Sequence, residues 1–242
     1  MQRLLKMALF LGVILAPVSE ARAQTPVSLE LVLAVDGSRS VDGFEYNLVM
    51  QGIAKAFRTP EIISLIGQQN GVAVALFQWS SEIDENFMIP WRLLKDPASV
   101  LSFAVKVENA ERDPNRAFTG IGGAIDFGVR LIADNAFAGR LLTIDVSGDG
   151  RNNFGVSLAR PRQAANAQGI VINGLPILTH IVDYSAQKPI RNIVDFYDLE
   201  SYYREKVILG PGAFVEAADD YDDFARAFLR KLVRELTPKP MS

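Results

Sequence analysis

Apolar residues along the chain fall into two alternating kinds of segment. Continuous apolar runs bounded by glycine or polar residues predict buried β-strands, and stretches with apolar residues three or four positions apart predict amphipathic helices. The predicted strands are residues 28–35, 71–79, 85–89 (short and partly exposed), 140–147, 170–177 and 213–217 (an edge strand). The predicted helices are residues 41–58, 61–66, 97–107, 120–133, 157–168, 199–207 and 221–236. This alternation predicts a doubly wound α/β fold, with a mostly parallel sheet and helices on both faces.

The N-terminal residues have the three-part pattern of a secretory signal peptide. Arg3 and Lys6 precede an apolar run, and Ala21-Arg22-Ala23 supplies the small residues that flank a cleavage site. The run is too short for a permanent membrane span, and no later segment is long and apolar enough to be one. We therefore expect a signal peptide in residues 1–23, cleaved after Ala23, and a single exported domain in residues 24–242 with its core at about 28–236. The expected location is the bacterial periplasm or the medium.

The charge of the chain narrows the class of partner. It has 25 Lys and Arg against 28 Asp and Glu, a formal net charge of −3, and loss of the basic leader would make it about −5. A mildly acidic surface argues against nucleic acid or anionic lipid as the main partner. The chain has no cysteine, so it has no disulfide framework.

A cluster of oxygen-bearing side chains follows the first predicted strand. Asp36, Ser38 and Ser40 occupy alternate positions after the apolar run that begins at Leu31. Alternate residues of an extended segment project to the same side. One carboxylate and two hydroxyls should therefore converge at the carboxyl end of a strand, which is where open α/β sheets bind their ligands. Hard oxygen ligands suit Mg²⁺, or Mn²⁺ or Ca²⁺.

Two further segments are expected to reach the same edge of the sheet. Thr119 stands just before a glycine-rich helix start, and Asp149 follows an apolar strand in a glycine-flanked turn. Each fragment alone has a simpler explanation, because Ser38, Ser40 and Thr119 could cap helices and Asp149 could hold a turn. Their combination in three loops at one sheet edge favours a divalent metal site.

The order of these residues resembles the von Willebrand factor A (vWA) family. The similarity rests on Asp36-Gly-Ser-Arg-Ser40, on the threonine of the next loop and on the aspartate after a later strand, and it extends from Ser28 to Leu236. The segment 146–153, Val-Ser-Gly-Asp-Gly-Arg-Asn-Asn, is similar to an exported bacterial branch of the family whose function is unassigned. The resemblance implies a Rossmann-like fold with a metal-ion-dependent adhesion site. The implied metal residues are Asp36, Ser38, Ser40, Thr119 and Asp149. The implied partner is a protein that presents Asp or Glu to the metal.

One position departs from the family pattern. The family usually ends the later strand in Ser/Thr-Asp-Gly, whereas here Gly148 is inserted before Asp149. Asp145 is the competing carboxylate, but it lies within an apolar run. We interpret Asp145 as a buried, hydrogen-bonded residue that has a structural role or supports the metal ligands from outside, because buried charges need partners.

Two other functions are compatible with the same cluster: a metal-assisted hydrolase of phosphate or ester bonds, and a structural subunit of an envelope complex. We expect a binding module and not an enzyme because a general base is lacking. The only histidine, His180, is interpreted as structural, and Ser38 lacks the Gly-x-Ser-x-Gly context of a nucleophile. The long segment 183–205 is expected to form an insertion near the site that selects partners.

Overall fold

The computed structural model describes residues 23–115, 117–178 and 199–237. Outside the described residues lie positions 1–22 of the expected signal peptide, His180 and most of the expected insertion at 183–205. Among the helices that are described, none combines the length and the hydrophobicity needed to cross a bilayer.

Within residues 23–178, five strands form one sheet in the order β3-β2-β1-β4-β5. The strands are β1 (Thr25–Asp36), β2 (Val72–Trp79), β3 (Ile89–Leu94), β4 (Phe137–Gly148) and β5 (Val171–Pro176). All neighbouring pairs are parallel except β2 with the edge strand β3. β1 lies at the centre and is covered on both faces, which explains the continuous apolar run at residues 31–35. The predicted doubly wound, mostly parallel sheet is confirmed.

In the described part of the chain, six helices of at least eight residues cover the two faces of the sheet. They are α1 (Gly43–Phe57), α2 (Pro60–Gly67), α3 (Pro97–Glu108), α4 (Ile121–Ala133), α5 (Ala159–Ala167) and α6 (Phe224–Leu236). One apolar core lies between the sheet and α1, α2, α3 and α6, and a second lies between the sheet and α4, α5 and a short π-helical turn, Tyr203–Val207. The carboxyl ends of the parallel strands therefore lie at one edge of the sheet, between the two helical layers.

The strand predicted at residues 85–89 is wrong. Glu85–Phe87 forms a 3₁₀ turn, and the strand β3 begins only at Ile89. The turn forms because the Asp84 carboxylate accepts a hydrogen bond from the Asn86 backbone N–H at 2.9 Å, a local contact that competes with strand formation.

The edge strand predicted at residues 213–217 does not form a continuous ladder. The chain there makes isolated bridges, in which Val215 pairs with Gly174 and Ala218 pairs with Ile177. The Phe214 N–H donates to the Asn173 side chain at 3.1 Å, so a side chain takes the place of a ladder partner.

Candidate metal centre

Asp36 ends the central strand and is almost fully buried, with 2% of its surface exposed. Its Oδ1 accepts a hydrogen bond from the Ser38 backbone N–H at 2.7 Å, while its Oδ2 has no hydrogen-bond partner in the described part of the chain. Burial, together with the negative charge of Asp149, raises the pKa of Asp36 to about 8. A buried carboxylate oxygen without a partner is costly, and a bound cation would supply the missing interaction.

Hydrogen bonds connect the polar side chains of the loop after β1 with that of the loop after β4. The hydroxyl oxygens of Ser38 and Ser40 lie 3.1 Å apart, and the Ser40 hydroxyl donates to Asp149 Oδ1 at 2.8 Å. The structure therefore brings Asp36, Ser38, Ser40 and Asp149 into one cluster at the carboxyl ends of β1 and β4.

Thr119 is held against the same cluster by the loop after β4. Its backbone N–H donates to Asn153 Oδ1 and its carbonyl accepts from the Asn153 N–H, both at 2.9 Å. A methyl group added at Gly150 would lie 3.3 Å from Thr119 Oγ1, so the hydroxyl faces the turn that carries Asp149. All five predicted site residues thus lie in three adjoining loops.

Helix capping does not account for these hydroxyls. The side chain that caps α1 is Asp42, whose carboxylate accepts from the Phe44 and Glu45 N–H groups, and not Ser38 or Ser40. The residue that precedes α4 is Gly120, and no side chain there makes a capping hydrogen bond. The simpler explanation of these residues as helix caps therefore fails at both helices.

The inserted glycine of the later strand has a steric role. A Cβ atom at Gly148 would lie 2.6 Å from Asp36 Oδ2 and 3.0 Å from the Trp79 ring. Only glycine leaves room for the Asp36 carboxylate at this position. Because β4 ends at Gly148, Asp149 is the first residue beyond the strand and reaches Ser40 from the turn.

Tyr221 is a contact of the site that the sequence analysis missed. Its hydroxyl donates to Asp149 Oδ2 at 3.1 Å from the segment just before α6. Burial raises the pKa of Asp149, and the hydrogen bonds from Ser40 and Tyr221 oppose that rise. The tyrosine is 72 positions away from Asp149 and belongs to no motif, so no sequence pattern could identify it.

Asp145 is tied to the last helix. Its Oδ2 lies 2.5 Å from Lys231 Nζ, and the same ammonium lies 2.6 Å from Glu235 Oε1. Lys231 is completely buried. Burial raises the pKa of Asp145 to about 7, and the Lys231 charge opposes that rise. The ion pair joins the interior of β4 to α6, whereas neither oxygen of Asp145 makes a hydrogen bond with the described residues. The role of Asp145 in supporting the metal ligands stays a prediction.

The site opens into a surface depression with a volume of about 540 Å³. The depression is lined by Ser38, Arg39, Ser40, Ala117, Phe118, Thr119 and Asn153.

Across the described ranges, no three His, Cys, Asp or Glu side chains gather in a group that could hold a metal. A cation at this edge would therefore need the hydroxyl oxygens as well as the two carboxylates, and oxygen donors of this kind suit Mg²⁺.

Comparison with known proteins places the chain in a family and a fold. The profile of DUF1194, a family described as proteins of unknown function, matches residues 26–240. Among curated proteins, none matches the chain.

Solved structures with the same fold are distant in sequence. The pilus adhesin SpaC from Lactobacillus rhamnosus GG is 14% identical with a TM-score of 0.59, over 89% of this chain and 31% of that protein. Proximal thread matrix protein 1 from the mussel byssus, with a zinc-occupied MIDAS (metal-ion-dependent adhesion site) motif, is 15% identical with a TM-score of 0.58, over 88% and 48%. A von Willebrand factor type A protein from Catenulispora acidiphila is 13% identical with a TM-score of 0.54, over 88% and 43%. This chain therefore spans between about a third and a half of these proteins, and the shared part confirms the vWA fold.

Proposed function

The chain belongs to the DUF1194 family and has the vWA fold, and from that premise we propose that it is an exported, metal-dependent protein-binding module. In this proposal one Mg²⁺ ion, or Mn²⁺ or Ca²⁺ in its place, binds at a metal-ion-dependent adhesion site. The residues that would hold the ion, directly or through water, are Asp36, Ser38, Ser40, Thr119 and Asp149.

The observation that carries the proposal is the unpartnered, buried Asp36 Oδ2 at the point where three loops meet. Five oxygen-bearing side chains in adjoining loops match the ligand preference of a hard divalent cation. Two carboxylates would balance the charge of such an ion, and Gly148 leaves the space that the Asp36 carboxylate needs.

The proposed ion would recognise a carboxylate of another protein. Mg²⁺ keeps water at coordination positions that the protein does not fill, and an Asp or Glu side chain can replace such a water. The site borders an open depression, so a partner can approach it. The similarity to proximal thread matrix protein 1, whose MIDAS motif holds zinc, supports the metal. The similarity to a pilus adhesin supports a binding role over catalysis.

Export is part of the same proposal. It is supported by the sequence of residues 1–23, in which basic residues are followed by an apolar run and then by small residues at the expected cleavage site. N-terminal sequencing of the protein recovered from the periplasm and the medium tests it. A mature chain beginning at Gln24 is expected, and a chain retained in the cytosol with Met1 intact would refute export.

Calorimetric titration of the processed protein with Mg²⁺ tests the metal site. We expect the wild type to bind one ion and Asp149→Ala to bind none. Asp134→Ala is the matched control, because Asp134 is an exposed aspartate at the far end of α4. Absence of Mg²⁺, Mn²⁺ and Ca²⁺ uptake by the wild type would refute the proposal, as would equal uptake by Asp149→Ala.

A pull-down from envelope extract, with and without Mg²⁺, tests the protein partner. The expected partner is retained by the wild type in Mg²⁺ and lost both in the metal-free sample and with Asp149→Ala. A set of bound proteins that is the same in all three samples would contradict metal-bridged binding.

A further inference from the structure

Exposed apolar side chains are concentrated on the loops of the proposed metal centre. Phe44, Phe118, Phe154 and Val156 are 68%, 58%, 42% and 49% exposed. Phe44 follows the first loop, Phe118 directly precedes Thr119, and the other two follow the turn that carries Asp149. Exposed apolar side chains that cluster around one site mark a binding surface, whereas isolated ones do not.

Two of these side chains form a stacked pair. The rings of Phe118 and Phe154 have centroids 5.2 Å apart and an angle of 12° between their planes. The pair joins the loop before α4 to the loop after β4, so its position is fixed relative to the proposed ion. Both rings remain about half exposed, and their outer surfaces can contact a further apolar group. This pair is called here the Phe118–Phe154 wall.

The Phe118–Phe154 wall and the polar site share one depression. Phe118 lines it together with the hydroxyl-bearing residues Ser38, Ser40 and Thr119. Arg39, which is exposed, lines it as well. A divalent ion held by two carboxylates is formally neutral, and Arg39 is the charged side chain among the residues that line the depression. A single ligand would therefore meet the ion, a guanidinium and an apolar wall in the same depression.

We propose that the partner is a protein segment in which the acidic residue has an aromatic or bulky aliphatic residue one or two positions away. The carboxylate would bind at the metal centre beside Arg39, and the apolar side chain would pack on the Phe118–Phe154 wall. This inference rests on the proposed metal-bridged function and adds its sequence specificity. Charge complementarity selects the acid, and the exposed rings select its neighbour.

Immobilised synthetic peptides test the inference by interferometry in Mg²⁺. One peptide has Asp with Phe one position away in a Gly-Ser background, a second has Phe two positions away, and a third has Ser in place of Phe. We expect the wild type to bind at least one Phe peptide about tenfold more tightly than the Ser peptide, as one additional aromatic contact would give. Phe118→Ala and Phe154→Ala should each reduce this preference several-fold. Leu101→Ala, which removes a similarly exposed apolar side chain from α3, should leave it unchanged.

The outcomes separate the two proposals. Equal Mg²⁺-dependent binding of the Phe and Ser peptides by the wild type would overturn the apolar subsite and leave metal-bridged binding intact. A preference that survives in both phenylalanine variants would also overturn it. Absence of Mg²⁺-dependent binding to any Asp peptide, in a protein that takes up Mg²⁺ in the calorimeter, would refute metal-bridged binding of acidic segments and the apolar subsite with it.

Discussion

Replacing Asp36 by asparagine should stabilise the metal-free protein and abolish its response to magnesium. The Asp36 carboxyl is buried, and its pKa rises from an ordinary value of 3.8 to about 8. The folded protein therefore holds a proton that the unfolded chain releases at neutral pH. Asparagine has nearly the same shape and cannot ionise, so it removes this cost and can still accept from the Ser38 N–H.

The size of the effect follows from the shift of the Asp36 pKa. Each pKa unit corresponds to about 1.4 kcal/mol, so keeping the Asp36 proton at pH 7 costs the folded state about 4 kcal/mol. The buried amide of asparagine lacks a partner for its N–H₂ group, and this unmade hydrogen bond lowers the free energy of unfolding by about 2 kcal/mol. We therefore expect Asp36→Asn to raise the free energy of unfolding by about 2 kcal/mol at pH 7 in EDTA.

The pH dependence gives the prediction its sign. Because the folded-state pKa of Asp36 is raised, the contribution of its proton to stability is complete below about pH 4 and is lost as the pH rises towards 8. The difference in stability between Asp36→Asn and the wild type should therefore grow from zero or below at pH 4 to its maximum near pH 8. Mg²⁺ should stabilise the wild type most at the upper end of this range, since binding requires the ionised carboxylate.

Urea unfolding followed by circular dichroism, in EDTA and in millimolar Mg²⁺, measures these differences. The comparison of two profiles cancels the groups that titrate equally in both proteins. The reasoning would be refuted if Asp36→Asn were less stable than the wild type at pH 8 in EDTA, or if their difference did not change with pH.

Three further predictions concern the surroundings of the site. Gly122→Ala should destabilise the fold by about 2 kcal/mol in urea unfolding, because the added Cβ would lie 2.2 Å from a loop carbonyl oxygen. Gly123→Ala in the same helix has open space around it and should stabilise the fold by up to about 1 kcal/mol in the same assay. Tyr221→Phe should lower Mg²⁺ affinity about tenfold in calorimetry by removing the hydrogen bond to Asp149, and unchanged affinity would contradict that role. Lys231→Met should cost about 4 kcal/mol in the same unfolding assay, because it leaves the buried Asp145 without its cation and Glu235 with Asn173 as its remaining partner. A neutral result would contradict the ion pair.

The parts of the fold that the sequence could predict are those with local patterns. The apolar run that ends at Asp36 identified the central strand, because burial on both faces leaves no polar alternation. The prediction places a strand at residues 85–89, before the observed strand β3, because the hydrophobic pattern contains no signal for the turn that the Asp84 side chain stabilises. The same distinction holds at the site, where the Asp-x-Ser-x-Ser spacing is local and the contact of Tyr221 with Asp149 depends on tertiary packing. The stacking of Phe118 on Phe154 belongs to the second kind as well.

The close approach of Gly148 to Asp36 makes the two positions mutually dependent in evolution. A side chain at position 148 and an inward-facing acid at position 36 compete for the same space, so homologous chains that gain a side chain at position 148 should also lack the acid. An alignment should contain members that retain the acid with glycine and members that lack the acid, with or without glycine, but none that combine the acid with a side chain at position 148. Only the first group should take up a cation.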